Sequence, residues 1–234
     1  MNALLKATLL ATTLAAVPFA MIAPANAQVA GVATAEPAVA IARTTALGQG
    51  YQQIGKTYAS YAQQIQAKRK EINDINAQLD TNKDRNLTQD EYDAAVKAKS
   101  PLLGQLQTKE QEVGKLQEPI VRAQLYVVEN IAMKYAEAQQ KVVTAKKINF
   151  ILTPDSFSWA PDAIDVTGAI TEELNKLVPT VATAAPADWK PSRQSAAIFQ
   201  QVQQLLENAA MMQAAAAQQK PAAAPAAGTQ PASR

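Results

Sequence analysis

The sequence predicts a mainly α fold: a long antiparallel coiled-coil helical hairpin rooted in a small β-body, with a C-terminal helical and disordered extension. Three observations carry that reading. Aromatic residues are only 5% of the chain and glycines number eight, while Ala and Gln abound, a composition for long helices. Two heptad series run through the middle of the chain, separated by a polar stretch. Short apolar runs bounded by turn residues flank them on both sides.

The first 27 residues, MNALLKATLLATTLAAVPFAMIAPANA, carry one basic residue, Lys6, then an apolar run and Ala25-Asn26-Ala27. That is the pattern of a secretory signal peptide cleaved after Ala27, so the expected mature chain begins at Gln28 and is exported. The run is too short and too closely followed by the cleavage signal for a good spanning helix. No integral membrane segment is expected in the mature chain.

The chain has no cysteine, so export brings no covalent staples, and packing or oligomerisation must supply stability. Histidine is absent too. Thiol nucleophiles, Ser-His-Asp triads and ordinary zinc sites are thereby excluded, and with them most enzymes. Carboxylate-only chemistry survives formally. The 22 Lys and Arg balance 20 acidic residues, leaving about +1 once Lys6 departs, which gives no general attraction to nucleic acid or anionic lipid.

Residues 28–50 are expected to hold an N-terminal strand, 28–34, and a body segment. The hairpin occupies 51–147. Its first series is Tyr51, Ile54, Tyr58, Tyr61, Ile65, Ile72, Ile75 and Leu79, with Lys68 at the vacant seam position. Its second is Leu102, Leu106, Lys109, Val113, Leu116, Ile120, Ala123 and Val127, shifting by one residue to Val128, Ile131, Tyr135, Ala138 and Val142. Residues 148–179 return to the body, with strands at 148–154 and 156–160. A short helix follows, capped by Thr167 and ending before Pro179. A linker and a Gln/Ala-rich helix fill 180–219, with Ile198, Val202, Leu205 and Met212 on one side, and 220–234 is a disordered Pro/Ala tail.

The turn between the heptads, LDTNKDRNLTQDEY, has the ligand spacing of an EF-hand loop. Asp80, Asn82, Asp84, Asn86 and Glu91 hold positions 1, 3, 5, 7 and 12. Position 6, which wants glycine, is Arg85, whose positive φ costs roughly 1 kcal/mol. Calcium is the one cofactor this leaves open. The plainer explanation is a hairpin tip: Thr88 and Glu91 form a capping box, and the Asp/Asn cluster is turn chemistry. Under it Glu91 is structural and Asp80 is not. The unequal arms place a short helix at about 89–99, and Ser100 caps the next with Pro101 in its first turn.

The order of parts resembles the Skp/OmpH family of periplasmic chaperones. The most specific stretch is KKINFILTPDSFSWAPDAIDVTGAITEELNK, where after a late strand and a turn Asp165-Val166-Thr167 and Ile170 match the family's helix start and Leu174-Asn175 its end. The resemblance covers about 29–179 and implies a homotrimer. Strands of three chains would form a central barrel, and three hairpins would enclose unfolded outer-membrane proteins. A holdase of that kind needs apolar surface outside the seams, for which Leu103, Leu125, Val128 and the thioether of Met133 are candidates. The same residues could instead widen the seam or touch neighbouring chains. Two departures stand out: a nearly neutral mature chain, which weakens any capture of lipid or lipopolysaccharide, and the extension after Pro179. A calcium-responsive binding protein and a purely structural envelope coiled coil are the alternatives.

Overall fold

A computed structural model describes residues 31–218. The signal sequence, the first residues of the expected N-terminal strand and the Pro/Ala tail lie outside them.

The chain enters the body through β1 (Val32–Thr34), α1 (Pro37–Ala42) and α2 (Thr45–Thr57). Thr44 caps α2, its hydroxyl accepting the Leu47 N–H, so the first long helix starts before the heptad pattern does. It breaks at Tyr58, and α3 (Ala59–Leu79) continues outward. After the tip comes α4 (Gln89–Lys97), then α5 (Pro101–Ala132) runs back along α3. Ser100 caps α5 and Pro101 stands in its first turn, as the sequence predicts. A second break at Met133–Lys134, just past the one-residue shift in the heptad pattern, separates α5 from α6 (Tyr135–Lys146).

Lys147 ends α6 in the left-handed region at φ 54, and the chain turns into β2 (Phe150–Leu152). β2 pairs in parallel with β1, with Val32 opposite Phe150 and Thr34 opposite Leu152. The whole arm is thus the crossover between two adjacent parallel strands. Gly31 makes the approach possible. Its φ of +82 suits glycine, and a Cβ there would collide with the Asn149 carboxamide.

Two expectations need correction. Residues 156–160 do not form a third strand: residues 154–156 make a 3₁₀ turn and the chain stays irregular to a second turn at 162–164. Pro154 and Pro161, each opening or flanking a turn, break any ladder there. What joins the sheet instead is Asp165, bridging to the far side of β1 at Thr34. Nor does Thr167 cap α7 (Thr167–Leu177). It is that helix's first residue, its own N–H held by the Asp165 carboxylate, and its buried hydroxyl accepts the Glu36 N–H at 3.0 Å.

The body core is assembled from α1, α2, the near half of α5, α6, α7 and α8 (Arg193–Gln218). Ile41, Ile54, Val127, Val128, Ile131, Ile170, Leu174 and Val202 are its largest fully buried apolar side chains. Outward, the arm has only a small cluster of its own, Ile75, Leu79 and Leu106, with Ile72, Leu87, Leu102 and Leu103 against it. No helix among the described residues is long and apolar enough to cross a membrane.

Candidate functional site: tip, arm and open strand

At the tip, the residues with EF-hand spacing are brought into one network, and the network is the loop's own. Asp80 is buried; its Oδ1 accepts the Lys83 N–H at 2.7 Å and its Oδ2 the Arg85 N–H at 2.8 Å. Those two residues have φ of 63 and 70, so the Asp80 carboxylate anchors both left-handed positions of the turn. Asn82 Oδ1 accepts from the Asp84 N–H, and Asp84 Oδ1 from the Asn86 N–H, two successive Asx turns. Asp80 is therefore as structural as Glu91, which the spacing alone does not show.

Glu91 closes the tip. Its Oε1 accepts from the Thr81 N–H, the Thr81 hydroxyl and the Asn82 N–H; its Oε2 accepts from the N–H and hydroxyl of Thr88. The Thr88 hydroxyl accepts the Glu91 N–H in return, completing the capping box on α4. Backbone N–H groups of Thr88 and Asn82, then the Thr81 hydroxyl, hold the Glu91 carboxyl down at about 2. Among the described residues, no three acidic side chains converge as a metal site.

Midway along the arm, Lys68 and Lys109 take the seam positions that the heptads leave polar. Lys68 Nζ lies 2.9 Å from Glu112 and Lys109 Nζ 2.8 Å from Glu71, while each lysine also reaches the glutamate three residues on in its own helix at 3.4–3.5 Å. The four groups form a closed ring across the antiparallel pair. Hydrogen bonds from the lysines lower the carboxyls of Glu71 and Glu112. Counting down both helices from Lys68 and Glu112 brings Tyr61 level with Pro119, the proline inside α5 that removes one helical hydrogen bond.

The four client-surface candidates are not brought together. Met133 is 65% exposed at the break between α5 and α6. Leu125 is half-buried, and Leu103 packs into the tip cluster. Val128 is fully buried and is no surface residue. The physical reason is that α5 at this level is packed by α2 on one side and α8 on another, so Val127, Val128 and Glu129 are all inside. The loose linker read from the sequence is in fact fastened, and its helix covers this face. Met212, expected on the packed side of that helix, is 74% exposed, because α8 outruns the body after Leu206.

The exposed apolar surface lies elsewhere. β2 has β1 as its one partner among the described residues, and it shows Phe150 at 66% and Leu152 at 42% exposure. Trp159, in the loop that follows, is 80% exposed. The sequence held a signal for this: Phe150 and Leu152 stand two apart in a strand, on one face.

Residues 31–174 match the model of the OmpH family, outer membrane protein (OmpH-like). The chain belongs to the OmpH-like family. A solved structure from Caulobacter crescentus, described as an OmpH-like outer membrane chaperone, is 17% identical and covers 68% of this chain and 93% of its own, with a TM-score of 0.40. No curated protein matches the chain. The match ends within α7, so the linker and α8 stand outside the family's common part.

Proposed function

We propose that this chain is a periplasmic holdase that binds unfolded outer-membrane proteins and keeps them from aggregating. Membership of the OmpH-like family carries the reading, and the form of the arm supports it. At about 1.5 Å per residue, α3 reaches roughly 30 Å from the body. Such an arm buries little of its own and offers side chains over a long span without a shaped pocket, which is what binding many sequences requires. Export through a signal peptide cleaved after Ala27 places it in the periplasm. No catalytic residue belongs to this reading.

The working unit in this proposal is a homotrimer. An edge strand carrying Phe150 and Leu152, with Trp159 beside it, is an aggregation hazard unless a partner covers it. Edge-to-edge joining of three bodies covers it and hangs three arms from one side. Client contacts then come from Met133, Leu125 and the arm surface facing the enclosed space, with Val128 excluded by its burial.

The test is light scattering of a denatured barrel protein diluted with and without the chain starting at Gln28. Suppression at near-stoichiometric trimer is expected, and undiminished scattering at a large excess sinks the proposal. Sedimentation reports the assembly: a trimer is expected at micromolar concentration, with Phe150→Asp shifting it to monomer. A wild-type monomer rules out the assembly.

A further inference from the structure

The extension is fastened to α5 by a single stripe of side chains. Arg122, Tyr126 and Glu129 stand four and three residues apart, so they share one face of the helix. Arg122 Nη2 donates to the carbonyls of Pro186 at 2.6 Å and Ala187 at 3.1 Å, and its guanidinium lies over the Trp189 ring, 5.4 Å from the centroid. Tyr126 meets the same ring edge-on at 5.1 Å. Glu129 Oε1 accepts from the Ser192 N–H at 3.2 Å and the Ser195 hydroxyl at 3.1 Å. Its carboxylate thus faces the first turn of α8, where backbone N–H groups lack helical partners.

Past this latch, α8 lays Ile198, Phe199, Val202, Leu205 and Leu206 on the core, and Gln203 donates to the Tyr51 hydroxyl at 3.0 Å. From Glu207 to Ala217 every residue is exposed. The helix is held by about two turns of apolar contact and one polar latch, and the latch is imperfect. Glu129 is 9% exposed, its Oε2 is buried without a hydrogen-bond partner, and no cation pairs with it among the described residues. A buried carboxylate oxygen left unpaired is costly, and undocking of α8 returns that cost by letting water in.

We infer that residues 186–206 form a releasable strap over an apolar face of α5 and α1, and that an apolar segment of an unfolded polypeptide competes with it for that face. The inference rests on the holdase reading. The strap itself describes its competitor. It presents apolar side chains at Ile198, Val202 and Leu205, every third or fourth residue, and α8 has just two charges, Arg193 and Glu207. A weakly charged, amphipathic stretch matches that surface. In the resting chain the strap keeps the apolar faces of α5 and α1 that it packs on from water; when a client takes them, the strap swings out on its linker.

The mature chain has no cysteine, so Tyr51→Cys/Gln203→Cys, bridged by a short bis-maleimide that adds one thiol to each of its double bonds, pins the strap at one place. The same variant unbridged is the control, and Arg122→Ala/Trp189→Ala loosens the latch. Amide exchange and binding of a denatured barrel protein are measured on these three and on the wild type. In the expected outcome α8 exchanges faster than α7 in the wild type, and loosening speeds it about fivefold, roughly a lost cation–π contact. Client binding rises by a similar factor on loosening and falls on bridging. Equal client binding by all four, or α8 exchanging as slowly as α7, overturns the strap while leaving the holdase reading standing. Binding by none of them ends the holdase reading, and the strap's client role with it. Should the loosened variant not fold, the bridged and unbridged pair decides alone.

Discussion

Body and arm are built from the same helices and held by different means. In the body, α5 is enclosed on several sides and three successive residues, Val127 to Glu129, are buried. Farther out, the seam of the same helix against α3 turns polar at Lys109, and beyond it just Leu106 is buried, in the small cluster at the tip. Helical stability comes mainly from packing an apolar face rather than from propensity, so the body beneath the strap should unfold as one unit, while strap and arm should each open by themselves. The difference teaches where a holding surface can be: where stability is low enough to adapt, which is along the arm and under the strap of 186–206, whose opening leaves the rest of the body intact.

The largest effect that tests this contrast is in the core. Leu174 is fully buried in α7, and Leu174→Ala should cost about 3 kcal/mol of global stability. Leu106→Ala removes the same atoms from the arm's small cluster but should leave the main unfolding transition within about 1 kcal/mol, with faster amide exchange confined to the tip. Denaturant titration reads the first and exchange the second. Equal global losses from both would mean that arm and body unfold together.

Much of this contrast was legible in the sequence. Heptad spacing located both arm helices, and lysines in place of seam apolars marked the weak middle at Lys68 and Lys109. Ser100-Pro101 and Thr88-x-x-Glu91 fixed two helix starts, because caps are local chemistry. What stayed hidden depends on distant partners. Nothing near Val128 shows that it is buried, since the helices that enclose α5 at this level are distant in sequence; the Glu129–Ser195 bond, for one, joins residues 66 apart. Asp80 looked like a ligand because an Asx turn and a calcium ligand call for the same residue types at the same spacing. No third strand forms at 156–160, because Pro154 and Pro161 set turns on either side of it whatever its aromatics favour.

A smaller effect sharpens the picture of the arm. The ring of Lys68, Glu71, Lys109 and Glu112 is partly exposed, so salt should weaken it, and charge alone contributes modestly. Its main effect is on register, since any slip of α3 against α5 separates both cross-helix pairs. Lys68→Leu/Lys109→Leu should join the tip cluster to the body core by a continuous apolar seam and slow exchange along the arm. Lys68→Glu, facing Glu71 and Glu112, should speed it. If the leucine pair speeds exchange as well, the ring rather than the gap in the seam governs the arm.

The finest contrast is within the tip, between an ion site and a self-capped turn. Glu91 has an ordinary value of 4.5 and sits at about 2 in the folded tip. A carboxylate lowered by folding stabilises the fold above its ordinary value, and that contribution fades as pH falls from about 4.5 to 2. The Glu91 side-chain carboxyl followed by NMR should therefore titrate near 2, and the tip should loosen over the same interval while the body keeps its signals. A midpoint near 4.5 would mean that the network around Glu91 is not formed in solution. Calcium competes for the same oxygens. To use Glu91 in bidentate fashion an ion must displace the N–H groups of Thr81, Asn82 and Thr88, and one unpaired loop repays little for that. Calorimetry with calcium up to about 5 mM, above the weak extracellular range, should show no binding heat. Asp80→Ala discriminates further. It should loosen the tip without any calcium present, because the N–H groups of Lys83 and Arg85 lose their acceptor while both residues must still hold positive φ. A tip that Asp80→Ala weakens only when calcium is present would belong to an ion site after all.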